Sequence, residues 1–68
     1  MTMEEAYREI DKVVPDGTSF LLTNEMWRFS GGGTIVEYGI SCAGMGISVN
    51  CVDLDAAVEQ FKEKCNEM

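Results

Sequence analysis

Four acids, Asp55, Glu59, Glu63 and Glu67, recur at intervals of four residues, and the chain's three cysteines, Cys42, Cys51 and Cys65, accompany no histidine at all. Without histidine neither a Ser-His nor a Cys-His nucleophile pair can be assembled, and the usual acid–base group for neutral pH is missing. Paired carboxylates could still work as acid and base. Those present fall on helical faces open to water, where nothing would shift their pKa values apart, so no catalytic residue is assigned. The cysteines have no paired spacing and no His-type fourth ligand for zinc. Each falls at an apolar position where cysteine acts as a small hydrophobe, so neither a metal nor a cofactor is expected.

Gly31-Gly32-Gly33 has the composition of a phosphate-cradling loop. It lacks the helix that such a loop opens and a nearby lysine, and it sits between two strand-like segments, which makes it a hairpin tip. The acidic row carries more information. Successive i, i+4 positions rise ~6 Å along a helix, close to the separation of phosphates on a nucleic-acid strand. Like charges so placed repel by ~0.2–0.5 kcal/mol per pair, with Lys62 and Lys64 relieving part of it, and a helix selected for stability alone would alternate signs. The plainer role of such a row is a solvated face that keeps a small protein soluble.

Composition sets the frame for these residues. Sixty-eight residues form one domain, 1–68, near the lower size for a core without disulfides or metal, and 46% hydrophobic content excludes disorder. Twelve acidic against five basic side chains leave a net charge of −7, which disfavours phosphate backbones and anionic membranes as partners. No apolar run approaches the ~20 residues of a membrane span, no signal peptide is evident, and the unpaired cysteines suit a reducing cytoplasm.

The elements that position the acids follow from periodicity. Met3, Ala6, Tyr7, Ile10, Val13 and Val14 mark one face of a helix near residues 3 to 14, with Thr2 and Glu5 in the form of a capping box and Pro15 as its stop. Thr34 to Cys42 alternates at period two and reads as the middle strand of a meander between glycine-rich breaks. A four-residue loop, Ser30 to Gly33, sets Phe29 opposite Thr34 and Trp27 opposite Val36. An Ala43 to Gly46 loop sets Ile40 opposite Val49 and Tyr38 opposite Cys51. Trp27, Phe29, Val36, Tyr38, Ile40, Cys42, Ile47, Val49 and Cys51 then share the core face. Met26, Arg28, Ile35, Glu37, Gly39, Ser41, Ser48 and Asn50 share a wet one. Phe20 and Leu22 have the opposite parity to Trp27 and Phe29, which calls for a bulge or bend near Thr23 to Met26. Asp53 caps a second helix, 54 to 66, whose apolar stripe is Leu54, Ala57, Val58, Phe61, Cys65 and Met68. The expected fold is α+β: two layers in the order α-β-β-β-α, a three-stranded antiparallel meander with both helices on one face.

That element order is shared with double-stranded-RNA-binding domains. Those domains use basic residues at the start of the last helix, where this chain has Asp53, Asp55 and Glu59, so this mode of RNA binding is excluded. The order is also similar to the partial version of that fold in HicB-type antitoxins. Small size, strong acidity, the absence of an enzyme motif and the carboxylate row resemble the small acidic anti-CRISPR proteins of phages and mobile elements, several of which imitate DNA. The resemblance implies a non-enzymatic inhibitor in the host cytoplasm, monomeric or weakly dimeric. It would bind a CRISPR effector subunit at the basic surface that reads the protospacer-adjacent motif or holds the target duplex. Asp55, Glu59, Glu63 and Glu67, with Asp53 and Glu37, are the candidate partner-binding residues. The alternative is a small interaction module, an antitoxin or assembly subunit, that binds through the exposed sheet face or its edges using Met26, Arg28 and Ile35.

Overall fold

Helix α1 (Met3–Val13) opens the chain, followed by strands β1 (Leu21–Arg28), β2 (Thr34–Cys42) and β3 (Ile47–Cys51) and by helix α2 (Leu54–Asn66), in a computed structural model that describes residues 1–67. The three strands form one antiparallel sheet in the order β1-β2-β3 with the helices packed against it, the α+β arrangement that the alternating and helical periodicities require. Met68, assigned to the α2 stripe from its spacing, lies outside the described residues.

Local chemistry sets the helix ends. Glu5 N–H donates to Thr2 Oγ1 at 3.1 Å and Thr2 N–H donates to Glu5 Oε1 at 3.0 Å, a reciprocal capping box. Val14, ahead of Pro15, is extended and ends α1, and Gly17 takes a positive φ in the following turn. Asp55 N–H donates to Asp53 Oδ1 at 3.0 Å, which starts α2.

The core joins α1, α2 and the inner half of the sheet: Ala6, Ile10 and Val14 meet Ile40, Cys42, Ile47, Val49, Leu54, Ala57, Val58 and Phe61. Phe61 and Ile10 are its largest wholly buried side chains. The β2–β3 register places Ile40 opposite Val49 and Tyr38 opposite Cys51, as the second loop dictates. Tyr7, expected on the buried face of α1, lies at the stripe's margin, half exposed, with its ring 5.1 Å from that of Phe20.

The β1–β2 register differs by one residue from the expectation. Gly32 N–H donates to Phe29 O at 3.0 Å and Phe29 N–H donates to Gly33 O at 3.2 Å, so the loop is Ser30-Gly31-Gly32, three residues rather than four. Gly32 at φ +93° supplies the left-handed residue that this turn needs. The shift sets Met26 opposite Val36, Trp27 opposite Ile35 and Arg28 opposite Thr34. Because side chains alternate, Trp27 turns to the open face, and Met26 and Arg28 move to the side of Val36 and Thr34. Phe29 falls beyond the strand and is also exposed. No bulge is needed: β1 pairs continuously from Leu21 to Arg28, and the parity conflict ends with Trp27 and Phe29 outside the core.

Candidate functional site

Asp55, Glu59, Glu63 and Glu67 are all exposed, while Leu54, Ala57, Val58 and Phe61 on the other side of α2 are buried. The buried stripe holds the helix in place and the acids are left to solvent. Lys62, expected to offset the row, instead reaches across to α1 and donates to Glu9 Oε1 at 2.8 Å. Glu9 also accepts from Lys12 at 2.7 Å. The Met1 amino group lies 3.3 Å from Asp55 Oδ1. Among the described residues, Glu59 and Glu63 make no ion pair.

The structure does not bring every sequence-assigned acid to this row. Asp53 adjoins it, exposed, with one carboxylate oxygen used as the α2 cap. Glu37 sits on the open face of β2, on the side of the sheet away from the helices, directly opposite Glu25 of β1. Two carboxylates placed opposite each other on adjacent strands repel; the four-residue loop expected from the sequence would set Glu37 opposite Met26, and the three-residue loop pairs it with Glu25 instead. The same face carries Trp27 beside Ile35, and Thr23 and Asn50 close over Gly39.

Electrostatics adds two lowered carboxyls and one raised thiol. Hydrogen bonds from Lys12 first and Lys62 second hold Glu9 at about 2, far below its ordinary 4.5. The Thr2 backbone N–H, then its hydroxyl, lowers Glu5. Both carboxyls are made weaker bases, the opposite of the tuning that a general acid or base at neutral pH requires. Burial, with nearby Cys42 second, raises the Cys65 thiol and keeps it in its less nucleophilic form. Cys42 is buried, Cys51 and Cys65 are half-buried, and all three are free thiols.

Concave surface is shallow. One groove of about 350 Å³ follows α1 along Met1, Glu5, Arg8, Glu9 and Lys12, and another of about 450 Å³ lies at the hairpin tip along Arg28, Phe29, Ser30 and Gly32. Among the described residues no helix is long and apolar enough to cross a membrane. Comparison with protein-family models, with curated proteins and with solved structures found no match.

Proposed function

We propose that the protein is a non-enzymatic inhibitor that occupies the basic nucleic-acid-binding site of a protein partner, as acidic anti-CRISPR proteins do, with the α2 carboxylates standing in for phosphates. One observation carries this reading. Asp55, Glu59, Glu63 and Glu67 are exposed on a helix anchored by its opposite stripe, and one of the two lysines of that helix, Lys62, is engaged by Glu9, which leaves Lys64. Repulsion along that row is a standing cost to the isolated helix, and a groove lined with Lys and Arg would relieve it. The partner in this reading is a CRISPR effector subunit in the host cytoplasm, inhibition is by competition with target DNA, and the protein itself binds no nucleic acid.

The test is target-DNA binding by purified CRISPR effector complexes with and without this protein. Inhibition that weakens with rising salt supports the reading, because screening shortens the reach of exposed charges. Effector complexes that bind target DNA equally well at every salt and inhibitor concentration exclude it.

A second reading, an interaction module acting through the open sheet face, is favoured by Trp27, which stands half exposed beside Ile35 on that face. Large aromatic side chains of this kind anchor protein interfaces. In that reading Trp27 and Ile35 are the contact residues; Met26 and Arg28, assigned to this face from the sequence, lie on the other one.

A further inference from the structure

Strand β1 is an edge, and it carries more exposed apolar surface than any other element: Leu21 is 60% exposed, Met26 76% and Trp27 51%. Natural edge strands are blunted by charged side chains, lysine above all, by proline or by a bulge; β1 has no lysine, proline or bulge, and its two charges, Glu25 and Arg28, are of opposite sign. Its free backbone groups can be assigned. Phe29 N–H bonds to Gly33 O, which fixes the phase of the ladder, so Leu21, Thr23, Glu25 and Trp27 direct their N–H and C=O groups at β2. Leu22, Asn24, Met26 and Arg28 direct theirs outward.

We propose that this edge pairs antiparallel with the β1 edge of a second copy of the chain, about a two-fold axis at Asn24, giving a continuous six-stranded sheet. The outward groups allow only a few registers. Centring on Glu25 would set two carboxylates face to face in the closest type of cross-strand pair. Centring on Thr23 or Met26 shortens the ladder and leaves Leu21 or Trp27 opposite Glu25. Centring on Asn24 sets Leu21 opposite the partner's Trp27, Leu22 opposite the partner's Met26, and Glu25 opposite the partner's Thr23, with no like charges in register. One residue further out, Arg28 meets the partner's Phe20, whose ring already packs on Tyr7, an arrangement suited to a cation–π contact. Every exposed apolar residue of the strand thus acquires an apolar partner from the same strand in the other copy, the self-complementarity that a two-fold interface demands. Both helical layers stay on one side of the joined sheet, because paired residues keep the same face.

Sedimentation equilibrium of the full chain tests this, with Met26→Lys and Asn24→Pro as variants. The expected result is a wild-type dimer whose dissociation constant rises at least about tenfold in Met26→Lys, equivalent to ~1.4 kcal/mol. Met26 is too exposed for its replacement to unfold the monomer. Asn24→Pro deletes an outward N–H and is expected to give a monomer with an unchanged circular dichroism spectrum. If Asn24→Pro does not fold, Met26→Lys alone decides. Register is read by oxidation: Asn24→Cys is expected to form a disulfide-linked dimer, and Glu25→Cys to resemble wild type. A wild-type chain that stays monomeric to millimolar concentration overturns the proposal and leaves the edge to a strand of some other protein. A dimer unaffected by Met26→Lys, or cross-linked by Glu25→Cys and not by Asn24→Cys, overturns it as well. None of these measurements depends on the acidic row of α2.

Discussion

Lys62 on α2 donates to Glu9 on α1 at 2.8 Å, tying the two helices together through residues 53 positions apart in sequence. The same carboxylate accepts from Lys12, so one acid gathers two lysines. The contact has two consequences: it joins the helical layer and withdraws a lysine from the acidic row.

Joining the helical layer through a carboxylate makes stability depend on pH. The carboxyl of Glu9 falls from 4.5 to about 2 on folding, a depressed folded value. A group of this kind contributes stability that is fully present above its unfolded pKa and is lost as pH falls through its folded one. Thermal unfolding followed by circular dichroism should therefore show stability declining between about pH 4.5 and 2 in the wild type. Glu9→Gln should remove that part of the decline and lower stability at neutral pH. Identical pH profiles for the two proteins would contradict the bridge.

A second expectation concerns Gly39 in the middle strand. A Cβ there would lie 2.6 Å from Thr23 Oγ1 and 3.1 Å from Asn50 Oδ1, so the neighbouring side chains close over the space. Gly39→Ala should destabilise the protein by ~1–3 kcal/mol through overpacking. Thr23→Ala opens the tighter of the two contacts. In the double variant it should restore part of the loss, a coupling measurable by chemical denaturation as a double-mutant cycle.

The third expectation separates core from surface aromatics. Phe61→Ala should cost ~3–5 kcal/mol, as for other fully buried rings. Trp27→Ala should cost ~1 kcal/mol or less, the scale of a cross-strand pair on an open face. Because Trp27 is the chain's one tryptophan, its fluorescence reports on this site alone. Emission from the folded chain, diluted until sedimentation shows a monomer, should be readily quenched by acrylamide; a protected, blue-shifted emission from the monomer would return Trp27 to the core.

Trp27 also marks the limit of what could be read from the sequence. Period-two alternation placed Ile40, Cys42, Ile47 and Val49 in the core, and helical spacing did the same for Ala6, Ile10, Ala57, Val58 and Phe61. Burial on a face depends on the spacing of apolar residues within one element, which residue order carries directly. The β1–β2 register depends on the number of loop residues. In Ser30-Gly31-Gly32-Gly33 several lengths are sterically open, because each glycine accepts a left-handed turn position. Choosing four instead of three moved Trp27, Met26 and Arg28 to the wrong faces and hid the Glu25–Glu37 pair. The Glu9–Lys62 bridge was illegible for another reason: it depends on how α1 lies against α2, which neither helix encodes by itself.

The bridge governs how the acidic row must be tested. Reversing Glu59 and Glu63 to Lys alters two exposed side chains without ion-pair partners among the described residues, so folding should be retained. A matched control needs two other acids whose reversal leaves the fold intact. Glu9 is unsuitable, since a lysine there would face Lys12 and Lys62. Glu4 and Asp11 on α1 are both exposed, and the Glu4–Arg8 pair, at 2.7 Å on the surface, contributes little to stability. Glu4→Lys with Asp11→Lys therefore changes net charge by the same amount at a different place. If the row is the ligand, the α2 double variant should weaken inhibition of target-DNA binding by at least about tenfold, ~1.4 kcal/mol, through lost and repelled contacts. The control should lose far less, and the gap between the two should narrow as salt rises. Equal losses in both variants would assign the effect to overall charge. Unchanged inhibition in the α2 variant would remove the carboxylate row from the mechanism and leave Trp27 and Ile35 on the open sheet face as the surface to mutate next.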